Sequence, residues 1–168
     1  TQAHIIITEY GKCDLAGLKA VALWREKQPA DENAVCRFYQ ENDFYLYELM
    51  KTEYNGDEED LVREVLSLCS PGDRVLEYGG GCGTLSIALA EKGCRVTHLD
   101  LGGPLLDFAA WRFRRRGFKV RIHPLDEKAA DLCGPYDTLV SIYVLEHLFD
   151  PEGAMRAMRR ALAPGGKM

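Results

Sequence analysis

From Val75 to Thr84 the chain reads Val-Leu-Glu-Tyr-Gly-Gly-Gly-Cys-Gly-Thr, which puts four glycines into five consecutive positions. The residues before them, Arg74–Tyr78, alternate and branch as a strand does. The residues after them, Thr84–Lys92, read as a helix ended by Gly93 at its C′ position. A turn tolerates glycine, but it does not need four. Glycines at this density between a strand and a helix let the backbone approach a ligand closely. The helix that follows turns its free N–H groups and the positive end of its dipole toward that ligand.

The same alternation continues through the rest of the chain. A strand is expected over Arg95–Asp100, a helix over Leu105–Arg116 stopped by Gly117, and strands over Lys119–His123 and Tyr136–Ile142. A further helix spans about Pro151–Leu162, followed by the turn residues Ala163-Pro164-Gly165-Gly166. Strands alternating with helices imply an α/β, Rossmann-like, doubly wound parallel sheet. The chain reaches Met168 where another strand would begin, so the sheet is expected to be truncated before strand five. A longer natural chain, the Ile5–Thr8 stretch or a second copy forming a homodimer would then cover the open edge.

Residues 1–56 read differently, as a mainly helical N-terminal cap or lid. After a short β-like stretch at Ile5–Thr8, Asp14 caps a helix to about Lys27, which Pro29 interrupts. Asp31 caps a second helix, expected to run unbroken through Tyr54 and rich in aromatics. Asn55-Gly56 forms a turn. Residues 57–168 make the ligand-binding domain. Asp57 opens its first helix, with Leu61, Val62, Val65, Leu66 and Cys69 at helical spacing, and Ser70-Pro71-Gly72 ends it.

The loop chemistry narrows the ligand. A dinucleotide fingerprint, G-x-G-x-x-G, fails at its third glycine: counted from Gly79 the position is Thr84, and from Gly81 it is Ser86. Glu77 enters the loop with a carboxylate, which would repel a pyrophosphate. It suits a ligand that carries an ammonium group and no phosphate, and S-adenosylmethionine is such a ligand. Asp100, at the end of the next strand, is placed to accept both hydroxyls of a ribose. That role is common to nicotinamide and S-adenosylmethionine proteins, so Asp100 points to a ribose without choosing between them.

Taken together, these residues resemble the class I S-adenosylmethionine-dependent methyltransferases over about 57–168. Glu77-x-Gly79-x-Gly81-x-Gly83 is similar to the family's first motif, and Arg95–Asp100 to its second strand. Leu125-Asp126 resembles the site where an aspartate meets the adenine amino group. Tyr136–Ser141 resembles the fourth strand, and Val144-Leu145-Glu146-His147 through Pro151 a segment frequent in small-molecule members. Leu162–Gly166 resembles the turn before strand five. The chain departs from the pattern in the bulk of Tyr78, in Gly102-Gly103, and in the missing strands five to seven.

The resemblance implies cofactor contacts from Glu77, Gly79, Gly80, Gly81 and Gly83. It adds Asp100, Leu101 and Asp126, and Ile142 and Tyr143 after the fourth strand, while Tyr45 from the lid would reach the methionine end. It also implies methyl transfer to a small molecule. A sulfonium methyl is already activated, so the protein has mainly to align the acceptor and exclude water. The candidate catalytic groups are Tyr143, Glu146 and His147, the imidazole acting as base or only fixing the loop. Some related quinone O-methyltransferases hold a metal here. Tyr143 stands where a second carboxylate would be needed, so no metal is expected.

Composition sets limits on partners. The 168 residues carry a net charge of −5, so the surface as a whole does not attract nucleic acid or an acidic membrane. No apolar run is long enough to span a bilayer. The basic run Arg112–Arg121 reads as the solvated, cationic end of a helix. Six cysteines without a C-x-x-C pair read as reduced thiols, and the chain start lacks a secretory pattern; both suggest the cytoplasm. The alternatives are a non-catalytic S-adenosylmethionine-binding or interaction module and, disfavoured by Glu77, an NAD-dependent oxidoreductase.

Overall fold

A computed structural model describes residues 21–56, 58–125 and 132–168. Ile5–Thr8, Asp14, Asp57 and Asp126, all named above, lie outside the described residues. Residues 21–27 are helical. They are followed by α1 (Glu32–Glu41), α2 (Phe44–Asn55) and α3 (Glu59–Leu68). The sheet region then runs β1 (Arg74–Tyr78), α4 (Thr84–Glu91), β2 (Arg95–Leu101), α5 (Pro104–Arg116), β3 (Arg121–Leu125) and β4 (Tyr136–Val140). It ends with a single 3-10 turn at Leu145–His147, α6 (Pro151–Ala161) and β5 (Leu162–Lys167).

The strands form one parallel sheet in the order β3-β2-β1-β4-β5. The fifth strand corrects the expectation of truncation: it forms from the residues read as a turn. Its ladder is sparse, with Tyr136 opposite Leu162 and Thr138 opposite Lys167 and a register shift between them. Pro164 has no N–H for a ladder and Gly165 sits at φ 78°, so the segment bulges where a regular strand would pair.

β1 is buried on both faces, as a central parallel strand must be. Val75 joins a core with Leu85 and Leu89 of α4 and Val65 of α3. Leu76 and Tyr78 point the other way, to Leu139, Met158 and Ala161. By the same alternation Glu77 faces the α4 side. At the opposite end of the sheet Arg74 clamps Asp137 of β4, with Nε donating at 2.9 Å and Nη2 at 2.6 Å.

The long N-terminal helix expected through Tyr54 is two helices. The Asn42 side-chain amide donates to the Phe38 carbonyl at 2.6 Å, satisfying a C-terminal acceptor and ending α1. Asp31 caps α1 as expected, accepting from the Ala34 N–H at 2.8 Å. Phe38 and Phe44 are buried together with Leu23, Tyr39, Tyr45 and Tyr47 around them. α1 contacts β2 and α5, and α2 contacts α5, which brings both helices to the carboxyl ends of the strands.

Candidate functional site

In this strand order the connections from β1 run to one side of the sheet and those from β4 to the other, so a crevice opens between the ends of β1 and β4. A cavity of about 1120 Å³ occupies it. Glu77, Gly79, Gly80, Gly81, Asp100 and Leu101 line it, as do Ile142, Tyr143, His147 and Tyr45. Ten of the residues singled out from sequence therefore share one wall system.

The loop lies close under this space. The Gly79 and Gly80 N–H groups both donate to the Leu99 carbonyl, at 2.7 and 3.1 Å, pinning the loop across β2. Gly79 has φ 76°, and a Cβ there would lie 2.3 Å from a Val144 methyl. Gly83 caps α4 at φ 81°, with its Cα against Phe113, and does not line the cavity.

Two carboxylates flank the loop. Glu77 is 7% exposed and accepts from the Ser86 hydroxyl through Oε2. Asp100 accepts from the Gly81 N–H at 2.6 Å. Burial pushes the Asp100 carboxyl up, against smaller downward pulls from that N–H and from His98.

The helical cap supplies Tyr39, Gln40, Tyr45, Leu49 and Glu53. The Tyr39 and Tyr45 rings meet edge to face at 5.4 Å, and Tyr39 lies 6.4 Å from the His147 ring. Burial, with Tyr39 and Asp100 nearby, raises the Tyr45 phenol. On the other side, Tyr143 adopts φ 54° and is 65% exposed, and the exposed Phe149 lines the same cavity. Glu146 is exposed on the 3-10 turn and does not line the cavity, which separates it from Tyr143 and His147. Among the described residues no group of three or more His, Cys, Asp or Glu is placed to hold a metal ion.

Two networks were not read from the sequence. Arg112 was expected on a solvated face, but it is 2% exposed. Its guanidinium donates to Glu53 at 2.6 Å, to the Cys82 carbonyl at 3.0 Å and to Thr84 Oγ1 at 3.1 Å, and Thr84 donates in turn to Glu53 at 2.7 Å. α2 is thereby tied to the glycine loop. The signal was present: Leu105, Ala109, Arg112 and Phe113 fall on one helical stripe. The second network joins Glu77, Ser86 and His98 beneath the loop.

A family model described as "Methyltransferase domain" matches residues 76–168. The ubiquinone biosynthesis O-methyltransferase of Xanthomonas euvesicatoria is 37% identical over 99 residues, which make up 58% of this chain and 41% of that protein. A TehB-like SAM-dependent methyltransferase structure from Corynebacterium glutamicum is 21% identical with a TM-score of 0.60, covering 74% of this chain and 71% of that one. A SAM-dependent methyltransferase from Thiobacillus denitrificans, solved with S-adenosyl-L-homocysteine, is 20% identical with a TM-score of 0.55 over 62% of this chain and 44% of that one. At those identities the two structures share the fold. The chain spans about two fifths of the length of the curated relatives it matches.

Proposed function

This chain belongs to the methyltransferase domain family, and we propose that it binds S-adenosylmethionine over the glycine loop and transfers its methyl group to a hydroxyl of a small molecule. One observation carries the reading: the Glu77 and Asp100 carboxylates face a single cavity from either side of a loop whose glycines leave no room for side chains. That arrangement fits a ligand with a cationic amino group at one end and a ribose near the other, and no phosphate between. The hydroxyl acceptor is supported by the relatives named as O-methyltransferases.

When bound, the cofactor supplies a methyl group activated by a sulfonium. The chain's own residues do the rest. Glu77 holds the ammonium, Asp100 the ribose hydroxyls, and Gly80 and Gly81 let the backbone come close. Tyr39 and Tyr45, with the helices α1 and α2 that carry them, serve as a cap that excludes water. Tyr143 and Phe149 would receive the acceptor at the mouth, and the His147 imidazole would take the hydroxyl proton while the acceptor oxygen gains the methyl group and the methyl–sulfur bond breaks, leaving a neutral thioether. Among the described residues no helix is long and apolar enough to cross a membrane. Cys69, Cys82 and Cys94 form no disulfide, in keeping with a cytoplasmic location.

Calorimetry with S-adenosylmethionine, S-adenosylhomocysteine and NAD tests the cofactor, and methyl release over a panel of hydroxylated aromatics, amines and carbon acids tests the reaction. Binding of both sulfur compounds with turnover of a hydroxyl acceptor is expected. Binding of NAD alone overturns the reading. Tight cofactor binding with no turnover on any acceptor leaves a binding module instead.

A further inference from the structure

His98 is entirely buried on β2, directly beneath the glycine loop. A Cβ on Gly80 would lie 2.4 Å from its ring, and the Phe113 ring of α5 meets it edge to face at 5.3 Å. Its Nδ1 lies 3.0 Å from Ser86 Oγ and 3.5 Å from Glu77 Oε2. Ser86 spends its one hydroxyl proton on Glu77, so its oxygen can only accept from His98. The pattern assigns the imidazole proton to Nδ1. Nε2 has no hydrogen-bond partner among the described residues.

One Glu77 oxygen is therefore held from below by the Ser86 hydroxyl, which His98 orients in turn. We propose that His98, acting through Ser86, is a positioning residue that fixes the Glu77 carboxylate for the ligand's ammonium group, so that this site prefers an amino-acid-bearing nucleoside to one without the amino acid. The inference rests on the cofactor reading above.

The ring is enclosed by Glu77 from β1, Ser86 from α4 and Phe113 from α5, with apolar Ile122 its register partner on β3. Asp100 serves the ribose and so acts on any adenosine ligand, with or without an amino acid, whereas Glu77 acts only on a ligand that carries the ammonium.

That difference gives the test. Affinities of S-adenosylhomocysteine and of 5′-methylthioadenosine, which has the adenosine and thioether but no ammonium, are measured by calorimetry at neutral pH. The wild type is expected to prefer S-adenosylhomocysteine. His98→Leu should weaken S-adenosylhomocysteine about tenfold and leave 5′-methylthioadenosine within about twofold. His98→Asn keeps a donor near the Nδ1 position, and should retain the preference. Equal weakening of both nucleosides by His98→Leu, or loss of the preference in His98→Asn as complete as in His98→Leu, overturns the positioning role and leaves the cofactor reading standing. Should the wild type bind neither nucleoside, both readings fall.

Discussion

Arg112 Nη2 donates to Glu53 Oε1 across 2.6 Å, joining α5 to α2 beside the glycine loop. The two partners are unequally buried: the arginine side chain is 2% exposed and the glutamate 30%. Removing the glutamate strands a guanidinium in the interior, whereas removing the arginine leaves a carboxylate that water can reach. Glu53→Ala is therefore expected to cost about 3 kcal/mol in urea unfolding, and Arg112→Met roughly half of that. The double variant should resemble Arg112→Met alone, because the coupling is already gone. Equal losses for the two single variants would mean that burial does not govern this pair.

That pair also marks where sequence reading stopped. The strand–loop–helix unit was legible because its causes are local: Glu77, the glycines and Thr84 are neighbours in the chain, and each strand or helix carries its own periodicity. The partner of Arg112 lies 59 positions away, and four arginines close together on one helix hid the one on the buried stripe. His98 was hidden in the same way inside a strand that reads simply as Arg95–Asp100, since only the pairing of β1 with β2 sets it opposite Glu77. The end of α1 depended on one side-chain bond from Asn42. β5 was read as a turn because Pro164 and Gly165 write turn chemistry into a segment that the sheet still recruits.

Asp100 should show a trade between stability and binding. Burial raises its carboxyl above the ordinary value, so the folded chain holds that proton more tightly than the unfolded one. Stability then falls as pH rises from the ordinary carboxylate range through the raised value, and the full cost of the buried charge is present at neutral pH. Asp100→Asn relieves it while keeping an oxygen for the Gly81 N–H. Melting at neutral pH should rise, by roughly 2–4 °C for each ~1 kcal/mol gained. S-adenosylhomocysteine affinity should fall about tenfold, with the loss of a charge-assisted pair to the ribose. An unchanged affinity would remove the ribose role.

Asp137 behaves in the opposite direction. The Arg74 side chain, its backbone N–H and its charge hold this carboxyl well below the usual range. Stability from the pair is present above the unfolded carboxylate pKa and is lost as pH falls through the folded one. In acid titrations followed by circular dichroism, Asp137→Asn should be less stable than the wild type at neutral pH, and the two curves should converge in strong acid. A gap that persists undiminished at the acid end would show that the clamp acts through packing alone.

Gly79 carries two separable demands, its φ of 76° and the approach of Val144. Gly79→Ala meets both the left-handed penalty, about 1–2 kcal/mol, and a clash with the Val144 methyls. Trimming the neighbour removes only the second. In a Val144→Ala background the cost of Gly79→Ala should shrink to about the left-handed penalty alone, read from urea midpoints. If the cost is the same in both backgrounds, the loop rather than the Val144 contact is what rejects a side chain.

His147 can be separated from a merely structural part by changing the acceptor instead of the pH. Its ring lines the cavity near Tyr39 but makes no hydrogen bond to the loop or the sheet among the described residues. A base assists most where the hydroxyl holds its proton firmly, and least where the acceptor is already largely ionised. His147→Ala should therefore lower kcat by about 10²–10⁴-fold with weakly acidic hydroxyls, and far less across a series of increasingly acidic phenols. S-adenosylhomocysteine affinity should stay unchanged throughout. A uniform loss along the series, whatever its size, would assign His147 to holding the loop that follows β4, and the proton would then have to leave by another route.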